Sequence, residues 1–200
     1  MSKLFKIRLE APKKGSKYYD SNNNPYVASG YGMFQNNGNC TAYVWGRWYE
    51  LLGKKHNLCL YNASDWYSHK DGYKRGKTPK LGAVACWSGG SGGAGHVAVV
   101  ERINASKDIR TSESGWKSYL FKTVHYDKGY KISGYKFLGF IYPPVDFVLE
   151  EEKEVVDELK KEETTTTPEI KEEVYKFKQT FNRDCTIKMK IKKGETLIIK

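Results

Sequence analysis

Four apolar runs follow one another between residues 83 and 142: AVACW, HVAVVERI, IRTSES and FLGFIY. Glycine-rich or polar turns separate them. Runs this short, rich in Val, Ile, Phe and Trp and bounded by such turns, read as strands. Consecutive strands joined by short turns pair antiparallel. Before them lies a different pattern, GNCTAYVWGRWYELLG, from Gly38 to Gly53. Here Cys40, Val44, Trp48 and Leu51 share one face at steps of four, four and three, a helical period. Asn39 is a candidate N-cap and Gly53 a candidate stop, so the spacing predicts a helix over Cys40–Leu52. NASDWY, from Asn62 to Tyr67, suits a second short helix. Helices first and a run of antiparallel strands afterwards read as an α+β fold.

The chain has 200 residues, enough for one ordinary domain with an appendage. Its 15 Tyr and 5 Trp argue for a packed core. The aromatics and glycines concentrate in residues 1–148, read as the globular domain. Residues 149–174 read as a charged linker: from 150 onward they hold 11 Asp and Glu against 4 Lys and close on a Thr run. Residues 175–200 alternate apolar and basic side chains around KKGE and read as a short β-rich tail, a candidate part of a wall-binding module. MKIKKGETLIIK within it resembles the opening of a LysM repeat.

The net charge is +11, so negatively charged partners are expected. No nucleic-acid motif accompanies the charge, which argues against a nucleic-acid partner. No run approaches a membrane span, and MSKLFKIRLE lacks an apolar stretch of signal-peptide length. The expected setting is therefore cytoplasmic, without membrane insertion. Cys40, Cys59, Cys86 and Cys185 form no C-x-x-C pair, which argues against zinc, and the compartment argues against disulfides.

Cys40 opens a helix, where the helix dipole favours a thiolate. Of the four histidines, His56 and His69 lie in polar, Lys-rich loops and read as solvated. His125 lies in a polar strand-like stretch. His96 follows WSGGSGGAG and opens the apolar strand HVAVV, a position suited to presenting a base. If the next turn centres on Asn104 and Ala105, cross-strand partners sum to 209. His96 then lies opposite Glu113, with both side chains on one face. A carboxylate there can orient the imidazole and stabilise its charged form.

In order and spacing, GNCTAYVWGRWYELLG, NASDWY, GYKRGKTPKLGAVACWSGG, GHVAVVERI, TSESGW and FLGFIYPP resemble the CHAP family, across residues 25–145 or so. These are cysteine- and histidine-dependent amidohydrolases or peptidases with a papain-like α+β fold. Within the family the resemblance is to phage endolysins that act on Gram-positive walls. It implies Cys40 as nucleophile, His96 as general base and Glu113 as the group orienting His96. It implies oxyanion contacts from the Cys40 N–H and a nearby amide, for which Asn39 and Gln35 are the candidates; capping alone also explains Asn39. Relatives often place Asn two residues after the acid, where this chain has Gly115. Trp87 and Trp116, close in sequence to catalytic candidates, are the expected groove walls.

Some relatives bind calcium through an Asp-rich loop before the nucleophile. ASGYGMFQNNGNC has neither Asp nor Glu, so no metal is expected there, and the implied chemistry needs no cofactor. The implied partners are Gram-positive peptidoglycan and anionic wall polymers. The implied setting is the host cytoplasm until the membrane opens. Two other readings stand beside this one. One is a non-catalytic basic module that grips wall polymer or nucleic acid. The other is a papain-like amidase acting on proteins or small amides.

Overall fold

The computed structural model describes residues 2–149. The expected linker, from Glu150 on, and the expected tail at 175–200 lie outside the described residues.

A two-residue strand, β1 (Lys3–Leu4), precedes a single helical turn, α1 (Pro25–Ala28). Asn24 caps α1 and Pro25 opens it, a position where the missing N–H costs nothing. The main helix, α2, spans Cys40–Leu52. Asn39 Oδ1 accepts from the N–H groups of Thr41 and Ala42, at 3.0 and 3.2 Å. Gly53 ends the helix in the left-handed conformation (φ 74°), its N–H bonded to Tyr49 O. Another single turn, α3 (Ala63–Trp66), follows.

The strands are β2 (Arg75–Gly76), β3 (Val84–Gly89), β4 (His96–Ile103), β5 (Ile109–Gly115), β6 (Tyr119–Tyr126) and β7 (Tyr135–Ile141). They form one antiparallel sheet in the order β2-β7-β3-β4-β5-β6. A last strand, β8 (Phe147–Val148), pairs in parallel with β1. The fold is therefore α+β, with the cysteine-bearing helix packed on an antiparallel sheet. β6 was not among the four expected strands. Its residues are mostly half-buried at the sheet edge, so its hydrophobic alternation is weak.

β3 and β4 read as continuous apolar runs because both faces are covered. Val84, Cys86, Val97 and Val99 join the cluster built on α2. Ala85, Trp87, Ala98 and Val100 join a second cluster with Tyr126, Tyr130 and Phe140. Period-two alternation thus delivers alternate residues of one strand to two cores.

Helix and sheet are also joined by charge. Arg47 of α2 grips Glu101 of β4 with two bonds of 2.9 Å, and both side chains are buried. Ser112 donates to Glu101 at 2.6 Å, and the Arg8 N–H donates at 2.9 Å. Glu50 extends the network: it accepts from Arg47 and Tyr19, each at 2.7 Å, and pairs with Arg8. A bidentate, fully bonded pair of this kind fixes orientation as well as distance. It sets the rotation of α2 over β4, five residues from His96.

Candidate active site

The loop before α2 is held against the sheet by a glycine. Gly38 has φ 114°, and a Cβ there would lie 2.1 Å from Gly115 O and 2.3 Å from Tyr119 O. Only glycine fits that backbone and that space. The Ser114 hydroxyl accepts the Asn39 N–H at 2.9 Å. These contacts dock the start of α2 on the ends of β5 and β6. Cys40 then comes beside His96, the first residue of β4: both line the same groove, and the thiol acts electrostatically on the imidazole. Both are nearly buried.

On its other side, His96 Nε2 lies 3.4 Å from Glu113 Oε2. That is an ion-pair distance, though not an aligned hydrogen bond. The three expected residues are thus brought together, but by a different register. Partners in β4 and β5 sum to 211 at Val99 and Val100, and to 212 at Arg102 and Ile103, past an irregularity at Glu101. The turn runs from Asn104 to Asp108, with Lys107 left-handed, and is longer than expected. An even slip of two leaves every side chain on its expected face. Glu113 therefore reaches His96 diagonally instead of directly.

Glu113 is buried among donors. Tyr119 donates to Oε1 at 2.9 Å, while Tyr126 and Thr111 donate to Oε2 at 3.0 and 3.2 Å. Lys122 Nζ sits 3.5 Å from Oε1. Burial pushes the carboxyl up, but His96, Tyr119 and Lys122 outweigh it and hold it below the usual carboxylate range. Burial pushes His96 down. Contact with Cys40 and Glu113 more than reverses this, and its pKa is pushed up to about 10. The imidazole is therefore charged at neutral pH.

The folded value for His96 lies above the unfolded value of about 6.5. Its contribution to stability is therefore complete below about pH 6.5 and is lost as pH rises toward 10. Chemical denaturation between pH 6 and pH 10 should show stability falling with pH in the wild type, and falling less in His96→Asn. Equal slopes would contradict the assignment.

The remaining expected residues fall elsewhere. Asn39 is held on both sides: Oδ1 caps α2 and Nδ2 donates to Tyr31 O at 2.8 Å. Gln35 donates to Val27 O and accepts from the Gly32 N–H, which locks its loop and keeps it off the groove. Each amide thus spends one N–H on a backbone carbonyl; Asn39 borders the groove and Gln35 does not. The Cys40 N–H has no partner among the described residues, because the Asn39 cap takes the next two. Trp87 is not a groove wall. It is 0% exposed, pairs with His96 across β3 and β4, and bonds Tyr130 O through Nε1. Its ring, 5.8 Å from the imidazole, backs His96 from inside.

Trp116 is 47% exposed and does line the groove, with Tyr31 6.2 Å away. The groove measures about 760 Å³ and takes in Cys40, His96, Tyr119 and the wall from Leu60 to Asp65. The holders of Glu113, namely Thr111, Tyr119 and Tyr126, carried no sequence signal of their own. His56 is not solvated. It packs against Trp45 and Trp48, and burial drives its pKa down to about 4. Among the described residues, Asp108, His125 and Asp127 have metal-ligand spacing, but they lie outside the groove, and Asp108 already accepts from Lys128 and Asn104.

Comparison with known proteins adds a family. Over 107 residues the chain is 34% identical to N-acetylmuramoyl-L-alanine amidase sle1 of Staphylococcus epidermidis, across 50% of this chain and 31% of that protein. The protein of the same name from Staphylococcus haemolyticus is 31% identical over the same shares. The chain thus spans less than a third of the length of these curated relatives. The crystal structure of an N-acetylmuramoyl-L-alanine amidase from Staphylococcus aureus aligns with a TM-score of 0.41 at 28% identity, over 51% of this chain and 31% of that one. The family model for the CHAP domain matches residues 29–115, a span that contains Cys40, His96 and Glu113. Residues 29–115 of this chain are thus similar to a CHAP domain.

Proposed function

We propose that this protein hydrolyses peptidoglycan by cysteine-based acyl transfer, cutting the amide between the lactoyl group and L-alanine of the stem peptide. The observation that carries this reading is the line Cys40–His96–Glu113 at the floor of an open groove. The amidase names of the staphylococcal relatives favour that bond.

In this mechanism the Cys40 thiolate attacks the amide carbonyl carbon and forms the C–S bond. The oxyanion meets the Cys40 N–H at the positive end of α2. The C–N bond then breaks as the His96 imidazolium gives its proton to the leaving amine. A thioester remains on Cys40. Water, losing a proton to His96, attacks that carbonyl; the C–S bond breaks, the carboxylic acid leaves, and the Cys40 thiolate and His96 imidazolium are restored. Glu113 does not touch the reacting atoms; it keeps His96 charged and turned toward Cys40. The positive charge of the chain suits a wall rich in anionic polymers, and that attraction weakens with salt.

The test is digestion of purified Gram-positive peptidoglycan, with the new ends identified by mass spectrometry. New L-alanine amino termini are expected. Other new termini would move the cut to a peptide bond, and no new ends would overturn the reading.

A further inference from the structure

Gly115, at the end of β5, has no left-handed φ, so the glycine is not needed for conformation. It is needed for room. A Cβ there would lie 2.4 Å from Tyr119 Cε1 and 2.7 Å from Cζ. The ring of Tyr119, the first residue of β6, thus lies on the bare backbone of Gly115, its partner in the ladder. Lys122 Nζ stands 4.0 Å from the centre of that ring. The phenol borders the groove, and its hydroxyl ends on Glu113.

The two oxygens of Glu113 are served unequally. Oε2 faces His96 and accepts from Tyr126 and Thr111. Oε1 accepts from Tyr119 at 2.9 Å, and among the described residues its one cationic neighbour is Lys122, half-exposed and at 3.5 Å. Without the Tyr119 hydroxyl, no buried donor among the described residues holds Oε1, and the carboxylate can turn about its last torsion.

We propose that Tyr119 is a positioning residue: seated on Gly115, its hydroxyl fixes Oε1 of Glu113 and so keeps Oε2 turned to His96. This rests on the reading of Cys40, His96 and Glu113 given above. The groups facing Glu113 are His96 from β4, Thr111 from β5, and Tyr119, Lys122 and Tyr126 from β6. Removing one donor to a carboxylate disfavours its charged form, so Glu113 should protonate at a higher pH.

Tyr119→Phe keeps the ring on Gly115 and deletes only the hydroxyl. The test follows the His96 imidazole resonance of the full chain against pH, assigned by its loss in His96→Asn. The low-pH inflection, which reports Glu113, should move up by about one pH unit in Tyr119→Phe. On peptidoglycan, kcat should fall about three- to tenfold with KM little changed. Gly115→Ala displaces the ring, so it should give the same shift, and the double variant should add nothing to it. An unmoved inflection in a Tyr119→Phe protein with wild-type circular dichroism would overturn the proposal, as would additive shifts in the double variant. The titration needs no substrate. A wild type that does not cut peptidoglycan faults the substrate reading, while the resonance still decides whether Tyr119 holds Glu113.

Discussion

Cys40→Ala is expected to lower peptidoglycan hydrolysis by at least about 10³-fold, since among the described residues no other thiol lines the groove. The fold should survive. Alanine is a strong helix former, the Asn39 cap is untouched, and the lost sulfur faces the groove, so unfolding free energy should change by no more than about 1 kcal/mol. Binding to wall material should persist, because the surface charge is unaltered. Turbidity loss and denaturation measured on the same two proteins separate these effects. Hydrolysis within a few-fold of wild type would remove Cys40 from the chemistry and make a binding module the better description.

The second large effect lies away from the groove. Glu101→Ala should cost about 3 kcal/mol of stability, because it removes the bidentate partner of the buried Arg47 guanidinium and leaves Glu50 as its one carboxylate among the described residues. The Ser112 hydroxyl and the Arg8 N–H lose an acceptor as well. Replacing both partners, as in Arg47→Met with Glu101→Leu, should recover much of that loss, since two apolar side chains carry no desolvation cost. Urea denaturation of the single and double variants gives the comparison. A single variant as stable as the double would mean that the pair does not set the seating of α2.

The helix was legible because its signals are local. Asn39 and Gly53 bound a periodic apolar face, and those residues mark its ends. The strands were legible as apolar runs, and β4 appears with the expected bounds. Register was not. The Asn104 side chain accepts the Asp108 N–H and stretches the turn, and the irregularity at Glu101 absorbs one residue more. The meeting of His96 with Glu113 survived because the slip at that end was even. A slip of one would have put them on opposite faces.

Tyr119 and Tyr126 show the limit more sharply. Both belong to an edge strand of mixed pattern, and their role depends on pairing across β5 and β6 that no local signal encodes. Trp87 shows the converse error. Its nearness to His96 was readable, but whether it stood in the groove or beneath the imidazole depended on which core its strand face met. Asn39 and Gln35 carry the amide groups an oxyanion site needs, yet backbone groups nearby claim them first. Nearness in sequence located these residues; the partners that decide their roles come from elsewhere in the fold.

The most direct test of a thiol nucleophile is alkylation of the folded wild type with iodoacetamide near neutral pH, with labelling of each cysteine read by peptide mass spectrometry and hydrolysis assayed in parallel. Cys40, 9% exposed, lines the groove, whereas Cys59 and Cys86 are 1% and 0% exposed, away from the groove, with pKa values pushed up by burial. The expected result is that Cys40 labels far faster than those two and that hydrolysis falls in proportion to its labelling. Hydrolysis that survives complete labelling of Cys40 would contradict the mechanism.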